Sequence, residues 1–143
     1  MIAEDYVSFE IAKLLKEKGF DGECQGYYEV PTKLSSQKDV RKQLNALPKN
    51  WNEYNKECVV CEYISIPTHQ MALKWLREVH KIYIAVNVGC DVDNENYVFY
   101  SPMIVKLNNK SVEYIESFGE DDEFDSNEKA VEAALDYILK NLI

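Results

Sequence analysis

Residues 81–88 read Lys81-Ile82-Tyr83-Ile84-Ala85-Val86-Asn87-Val88. Ile82, Ile84, Val86 and Val88 alternate with Lys81, Tyr83, Ala85 and Asn87. Successive side chains of a strand point to opposite faces, so this alternation predicts a strand in a sheet with one buried face. Toward the C-terminus, residues 89–96 are a polar turn, and residues 97–107 return as a second strand. Proline has no N–H for a ladder, so Pro102 inside that strand predicts a bulge or an edge position. Asn108-Asn109 is a tight-turn pair, and residues 111–118 are expected to fold back as a hairpin. An acidic loop at 119–125 follows, and Asp125 with Glu128 has capping-box spacing. The last helix then turns Val131, Ala134, Leu135, Ile138 and Leu142 inward.

Working back from residue 81, Thr68 is placed to cap a helix running to about His80, with Met71, Ala72, Trp75, Leu76 and Val79 on one face. Pro67 closes a β-rich stretch at 57–66. The first helix is expected to start at Asp5 or Ser8 and reach Lys18, because Val7, Ile11, Leu14 and Leu15 form one apolar stripe. Gly19 is its left-handed stop, with Phe20 folding back on Leu15. Residues 23–30 read as a strand ended by Pro31. Residues 32–55 are irregular, and this stretch with its flank holds six bases: Lys33, Lys38, Arg41, Lys42, Lys49 and Lys56. A short helix at 38–46 is expected there, with Trp51 and Tyr54 anchoring the far end. Consecutive strands with short turns predict an α+β fold, a mostly antiparallel sheet of about five strands with helices packed on one face. Its 143 residues are the size of a single domain, 1–143.

Charge is distributed unevenly. Residues 1–90 carry twelve acids and twelve bases, so the net charge of −9 lies entirely in residues 91–143. Eight carboxylates fall between Glu113 and Glu128 with no Lys or Arg among them. Like charges held this close repel unless they stay solvated or meet a positive partner. A helix N-terminus welcomes Asp125 and Glu128, but it accounts less well for the run at 120–123. Glu113, Glu116, Glu120, Asp121, Asp122, Glu123 and Asp125 are therefore the candidate partner-binding residues. A chain this acidic is repelled by phosphates, which argues against direct nucleic-acid binding. The first residues, Met1-Ile2-Ala3-Glu4-Asp5, lack the basic start and apolar run of a secretory signal, and no stretch approaches the ~20 apolar residues of a membrane span. A cytoplasmic setting with reduced thiols is expected for the four cysteines.

No motif commits the chain to catalysis. Cys58-Val59-Val60-Cys61 has C-x-x-C spelling, but in a continuous strand residues three apart face opposite sides, so packing is the expected role. His69 and His80, eleven residues apart on one helix, are separated by about 16 Å of helical rise, too far to share one metal ion. Asp91-Val92-Asp93-Asn94-Glu95 resembles the start of a calcium loop but lacks its central Gly and closing Glu. Neither phosphate-binding Gly-rich motif is present, and no cofactor or metal is expected.

Three segments carry a family resemblance: 4–10 with Ala12-Lys13-Leu14-Leu15, Pro67-Thr68 through Lys74-Trp75-Leu76-Arg77-Glu78, and 128–135. Together they resemble small uncharacterised proteins of gut Bacteroidales-type bacteria, their phages and mobile elements. The resemblance omits residues 31–56, implies a bacterial or phage cytoplasmic protein, and brings no catalytic residues. The expected function is a non-enzymatic accessory protein. It binds a protein partner through its acidic C-terminal surface, or a second copy through the basic 33–56 region. The alternatives are an acidic DNA mimic that inhibits a nucleic-acid enzyme, and a small enzyme with a pocket near the helix after Pro67.

Overall fold

A computed structural model describes residues 2–91, 93, 97–115 and 123–143. The chain forms two compact units, Met1–Ala72 and Leu73–Ile143. The fold is α+β, but the strands form two three-stranded antiparallel sheets and not one five-stranded sheet. Periodicity identifies strands; which strands pair is decided by contacts far apart in sequence, and there the expectation was too simple.

Unit 1 opens with α1, Phe9–Glu17. Ser8 is its N-cap: the residue is extended, and its hydroxyl accepts the Ile11 N–H at 3.3 Å. At the other end Gly19 takes φ +87, the Phe20 N–H reaches the Leu15 carbonyl at 2.9 Å, and the Gly19 N–H reaches that of Lys16 at 3.1 Å. These two bonds satisfy carbonyls the helix would leave open, and Phe20 and Leu15 are both buried. The unit's sheet has the order β2-β1-β3, from β1 (Gly26–Pro31), β2 (Arg41–Gln43) and β3 (Cys61–Ile66). Helix α1 packs against β3 around Ile11, Leu15, Ile64 and Ile66.

Two expectations fail in this unit. Residues 41–43 form a strand and not part of a helix: all three side chains are exposed, so no apolar stripe exists for a helix to bury. The free edge of β1 pairs them instead, Tyr27 to Gln43 through Glu29 to Arg41. The second failure is strand β3, which begins at Cys61, after a turn at 51–57 and bends at Val59 and Val60. Trp51 does anchor the segment before that turn: it is buried, and its indole N–H donates to the Cys24 carbonyl at 2.7 Å.

Helix α2, His69–Trp75, begins at Thr68, whose hydroxyl accepts the Met71 N–H at 3.2 Å. In unit 2 it gives way to one π-helical turn, Leu76–His80, closed by Lys81 at φ 58. The unit's sheet has the order β4-β5-β6, from β4 (Ile82–Cys90), β5 (Val98–Asn108) and β6 (Ser111–Ile115). The β5–β6 hairpin forms as expected, but its two-residue turn is Asn109-Lys110. Pro102 lies in the middle strand without a bulge, opposite Val86 in a continuous register. Its nitrogen points the same way as that of Tyr100, whose N–H bonds Phe124 at 2.8 Å, away from β4. The β4 ladder therefore loses no bond. Helix α3, Asn127–Asn141, covers one sheet face with Val131, Ala134, Leu135, Ile138 and Leu139 against Ile82 and Ile104. Its N-cap is Ser126, accepting the Lys129 N–H at 3.2 Å, and not Asp125; Asp125 instead pairs with the Lys129 ammonium at 2.8 Å. Among the described residues no helix is long and apolar enough to cross a membrane.

Candidate functional site

Of the seven candidate acidic residues, Glu116, Glu120, Asp121 and Asp122 lie outside the described residues. Glu113, Glu123 and Asp125 are exposed. Glu113 sits on β6 opposite Lys106, while Phe124, between Glu123 and Asp125, bridges to Tyr100. Six residues of β5 separate those two anchor points, which is about 20 Å at ~3.4 Å per residue. The three described acids therefore do not converge; they stand toward opposite ends of β5.

Between those ends, the sheet face opposite α3 is open, and apolar but for the pair Asn87–Ser101. The register aligns Tyr83, Val105 and Tyr114 in one row across the three strands. Leu107 with Val112 lies on one side of that row, and Met103 with Ala85 on the other. Tyr83, Leu107, Val112 and Tyr114 are 38%, 38%, 49% and 61% exposed, so the described residues leave them largely uncovered. At the far end Phe99 lies across Gly89, so closely that a Cβ on residue 89 would come within 2.5 Å of its ring. Strand β6 is also an edge of the sheet, with Val112 and Tyr114 on the open face and Glu113 on the other. The alternation at 81–88 disclosed which side of this sheet faces α3, but that side is buried only at Ile82, half-buried at Ile84 and Val86 and open at Val88, 65% exposed; Tyr83 and Ala85 on the intervening positions were the signal that the opposite side is not fully polar.

In unit 1 the structure overturns the expectation for the C-x-x-C. Cys58 precedes β3 and is not in it, and the two sulfurs face each other at 3.1 Å. The reason is the turn: Asn55 adopts φ 52, and the Cys58 N–H donates to the Asn55 carbonyl at 2.9 Å, so the chain reverses before the strand begins. Thr32 holds the loop from β1's end, its N–H donating to the Val60 carbonyl at 3.0 Å and its hydroxyl to that of Val59 at 2.6 Å. The Cys58 thiol is pulled below its usual range, first by the Cys61 thiol and then by the Val60 and Cys61 N–H groups; desolvation and then the Glu29 charge oppose this. Cys61 is pushed up, first by its hydrogen bond with Cys58 and then by desolvation. Tyr63, bonded to Cys61, is pushed up to about 12 by burial and by Glu29. By contrast, Cys24 is buried and pushed up to about 12, and Cys90 is exposed on β4.

A cavity of about 290 Å³ opens beside the pair, lined by Cys58, Cys61, Tyr63, Tyr54, Lys16 and Lys56 among others. Two neighbouring cavities, of about 320 and 360 Å³, also border Lys16. None of the three is lined by the helix after Pro67, where the enzyme alternative placed its pocket. His69 is buried there. His80 ends the π-helical turn with its ring 4.8 Å from that of Trp75. Burial, then Lys106, lowers its pKa, so the neutral ring is favoured. Among the described residues, no three His, Cys, Asp or Glu side chains converge to hold a metal ion. No protein-family model, curated protein or solved structure matches this chain.

Proposed function

We propose that the chain is a cytoplasmic, non-enzymatic accessory protein that binds a protein partner through the open face of β4, β5 and β6. The observation that carries this reading is the row Tyr83, Val105 and Tyr114 with its exposed apolar neighbours. A contiguous apolar surface left in water is unfavourable and marks a contact site in monomeric proteins. Tyrosine suits such a contact, since its ring buries well while its hydroxyl retains a polar partner. The acidic third of the sequence favours a partner whose apolar patch is rimmed by Lys and Arg; of its seven candidate acids, Glu113, Glu123 and Asp125 are described, and all three are exposed. The bacterial or mobile-element setting rests on the sequence resemblance alone.

Capture of partners by the tagged chain from source-cell lysate tests this, using wild type, Tyr114→Asp and, as a control, Val59→Asp in unit 1. Val59 is 65% exposed, so its substitution leaves the fold intact. Loss of a stoichiometric partner with Tyr114→Asp and its retention with Val59→Asp supports the reading. Equal retention by all three removes it. If light scattering instead finds a dimer that dissociates in salt, and Tyr114→Asp does not affect it, the occupant is a second copy joined through the basic 33–56 segment.

A further inference from the structure

The Cys58–Cys61 turn is held from three directions. The Asn55 carbonyl fixes its start, Thr32 grips both intervening carbonyls, and Cys61 enters the sheet opposite Pro31. The backbone of the turn is therefore fixed with both side chains on one side, and the sulfurs lie 3.1 Å apart. A disulfide needs about 2.05 Å, so a modest closing movement converts the pair. Both cysteines are half-buried, open to the cavity, and their surroundings differ. The Val60 and Cys61 N–H groups point to Cys58, whereas Tyr63 and the Cys58 sulfur flank Cys61.

We propose that Cys58 and Cys61 form an exchange-active dithiol that reduces low-molecular-weight disulfides, with Cys58 the attacking thiol and Cys61 the resolving one. Cys58 releases its proton, and its thiolate attacks one sulfur of a small disulfide RS–SR. The Cys58–SR bond forms, the RS–SR bond breaks, and the departing RS⁻ takes up a proton. Cys61 then loses its proton and attacks the Cys58 sulfur, which expels the second RS⁻ to be protonated in turn. The dithiol gives up two electrons and becomes an intramolecular disulfide; the small disulfide gains them and becomes two thiols. The division of labour follows from the surroundings, since the Val60 and Cys61 N–H groups stabilise a thiolate at Cys58 while desolvation disfavours one at Cys61. Lys16 and Lys56 border the cavity, but Glu62 and Glu53 pair with them and Glu29 lies near, so the site carries no net preference for a charged disulfide.

Oxidised glutathione is the probe. Reduced full-length protein is exposed to it, quenched by alkylation and mapped by mass spectrometry. Wild type is expected to lose two hydrogens and to join Cys58 to Cys61, with no lasting adduct. Cys61→Ser is expected to hold glutathione on Cys58 as a lasting adduct, because the resolving thiol is gone. Cys58→Ser is expected to form little adduct on Cys61. As a check that needs no variant, iodoacetamide should label Cys58 in wild type before Cys90, and Cys24 last. Labelling or glutathione uptake at Cys90 as fast as at Cys58, or a lasting adduct on Cys58 in wild type, overturns the proposal.

Discussion

Asn52 is buried where three segments of unit 1 meet. Its amide nitrogen donates to the Phe20 carbonyl at 2.9 Å, its side-chain oxygen accepts the Ser65 N–H at 2.9 Å, and its own N–H donates to the Ser65 hydroxyl at 3.1 Å. Asn52→Ala leaves a buried carbonyl and a buried N–H without partners, each carrying its full desolvation penalty. A loss of about 2–4 kcal/mol in urea-induced unfolding is expected for Asn52→Ala. A loss below about 0.5 kcal/mol would mean that these bonds do not hold the segments together. At Gly19 the position is open, with no atom within 4 Å of where a Cβ would sit, so the effect of Gly19→Ala is pure backbone strain at φ +87. It should lower stability by about 1 kcal/mol in the same measurement. His80 carries a pH signature. Its pKa is lowered from the usual 6.5, so below that pH the unfolded chain binds the proton first. The contribution to stability is complete above 6.5 and is lost as pH falls through the lowered folded value. His80→Gln should flatten the decline in stability as pH falls below about 6.5. An identical decline in wild type and variant would place the effect elsewhere.

Among the elements, α3 offers a direct test of which residue caps it. Ser126→Ala removes the hydroxyl that accepts the Lys129 N–H and should lower thermal stability by about 1 kcal/mol. Asp125→Ala breaks only an exposed ion pair and should change little. Reversed effects would restore Asp125 as the cap. The same comparison shows what the sequence disclosed and what it concealed. Signals that act within one turn were legible: Ser8 at the start of α1, Gly19-Phe20 at its end, Thr68 before α2, and the alternation that becomes β4. Features settled by partners far along the chain were not. Residues 41–43 became a strand because β1 had a free edge, and Cys58 met Cys61 because Thr32 holds the intervening loop. Asn55, a residue that tolerates a left-handed backbone, was the one local hint that the strand begins late. The division of six strands into two sheets left no mark on periodicity, which reports the faces of a strand but not its neighbours.

Across the whole molecule the charge of −9 and the open apolar face combine in one reading. Apolar contact provides binding strength, and carboxylates select and steer a basic-rimmed partner. Only part of this was legible beforehand: the acidic third is a matter of counting, but the open face depends on which side of the sheet α3 covers. Complex formation should weaken as salt rises from about 0.1 to about 1 M, where the screening length contracts from about 10 to about 3 Å, yet it should not vanish, because apolar burial persists. The most direct measurement is site-specific photo-crosslinking in source cells, with the photoreactive side chain at position 114 or, separately, at position 59. A defined adduct to one protein from position 114 and none from position 59 is the expected result. No adduct from position 114, or the same adducts from both positions, would contradict binding through the open face of β4, β5 and β6.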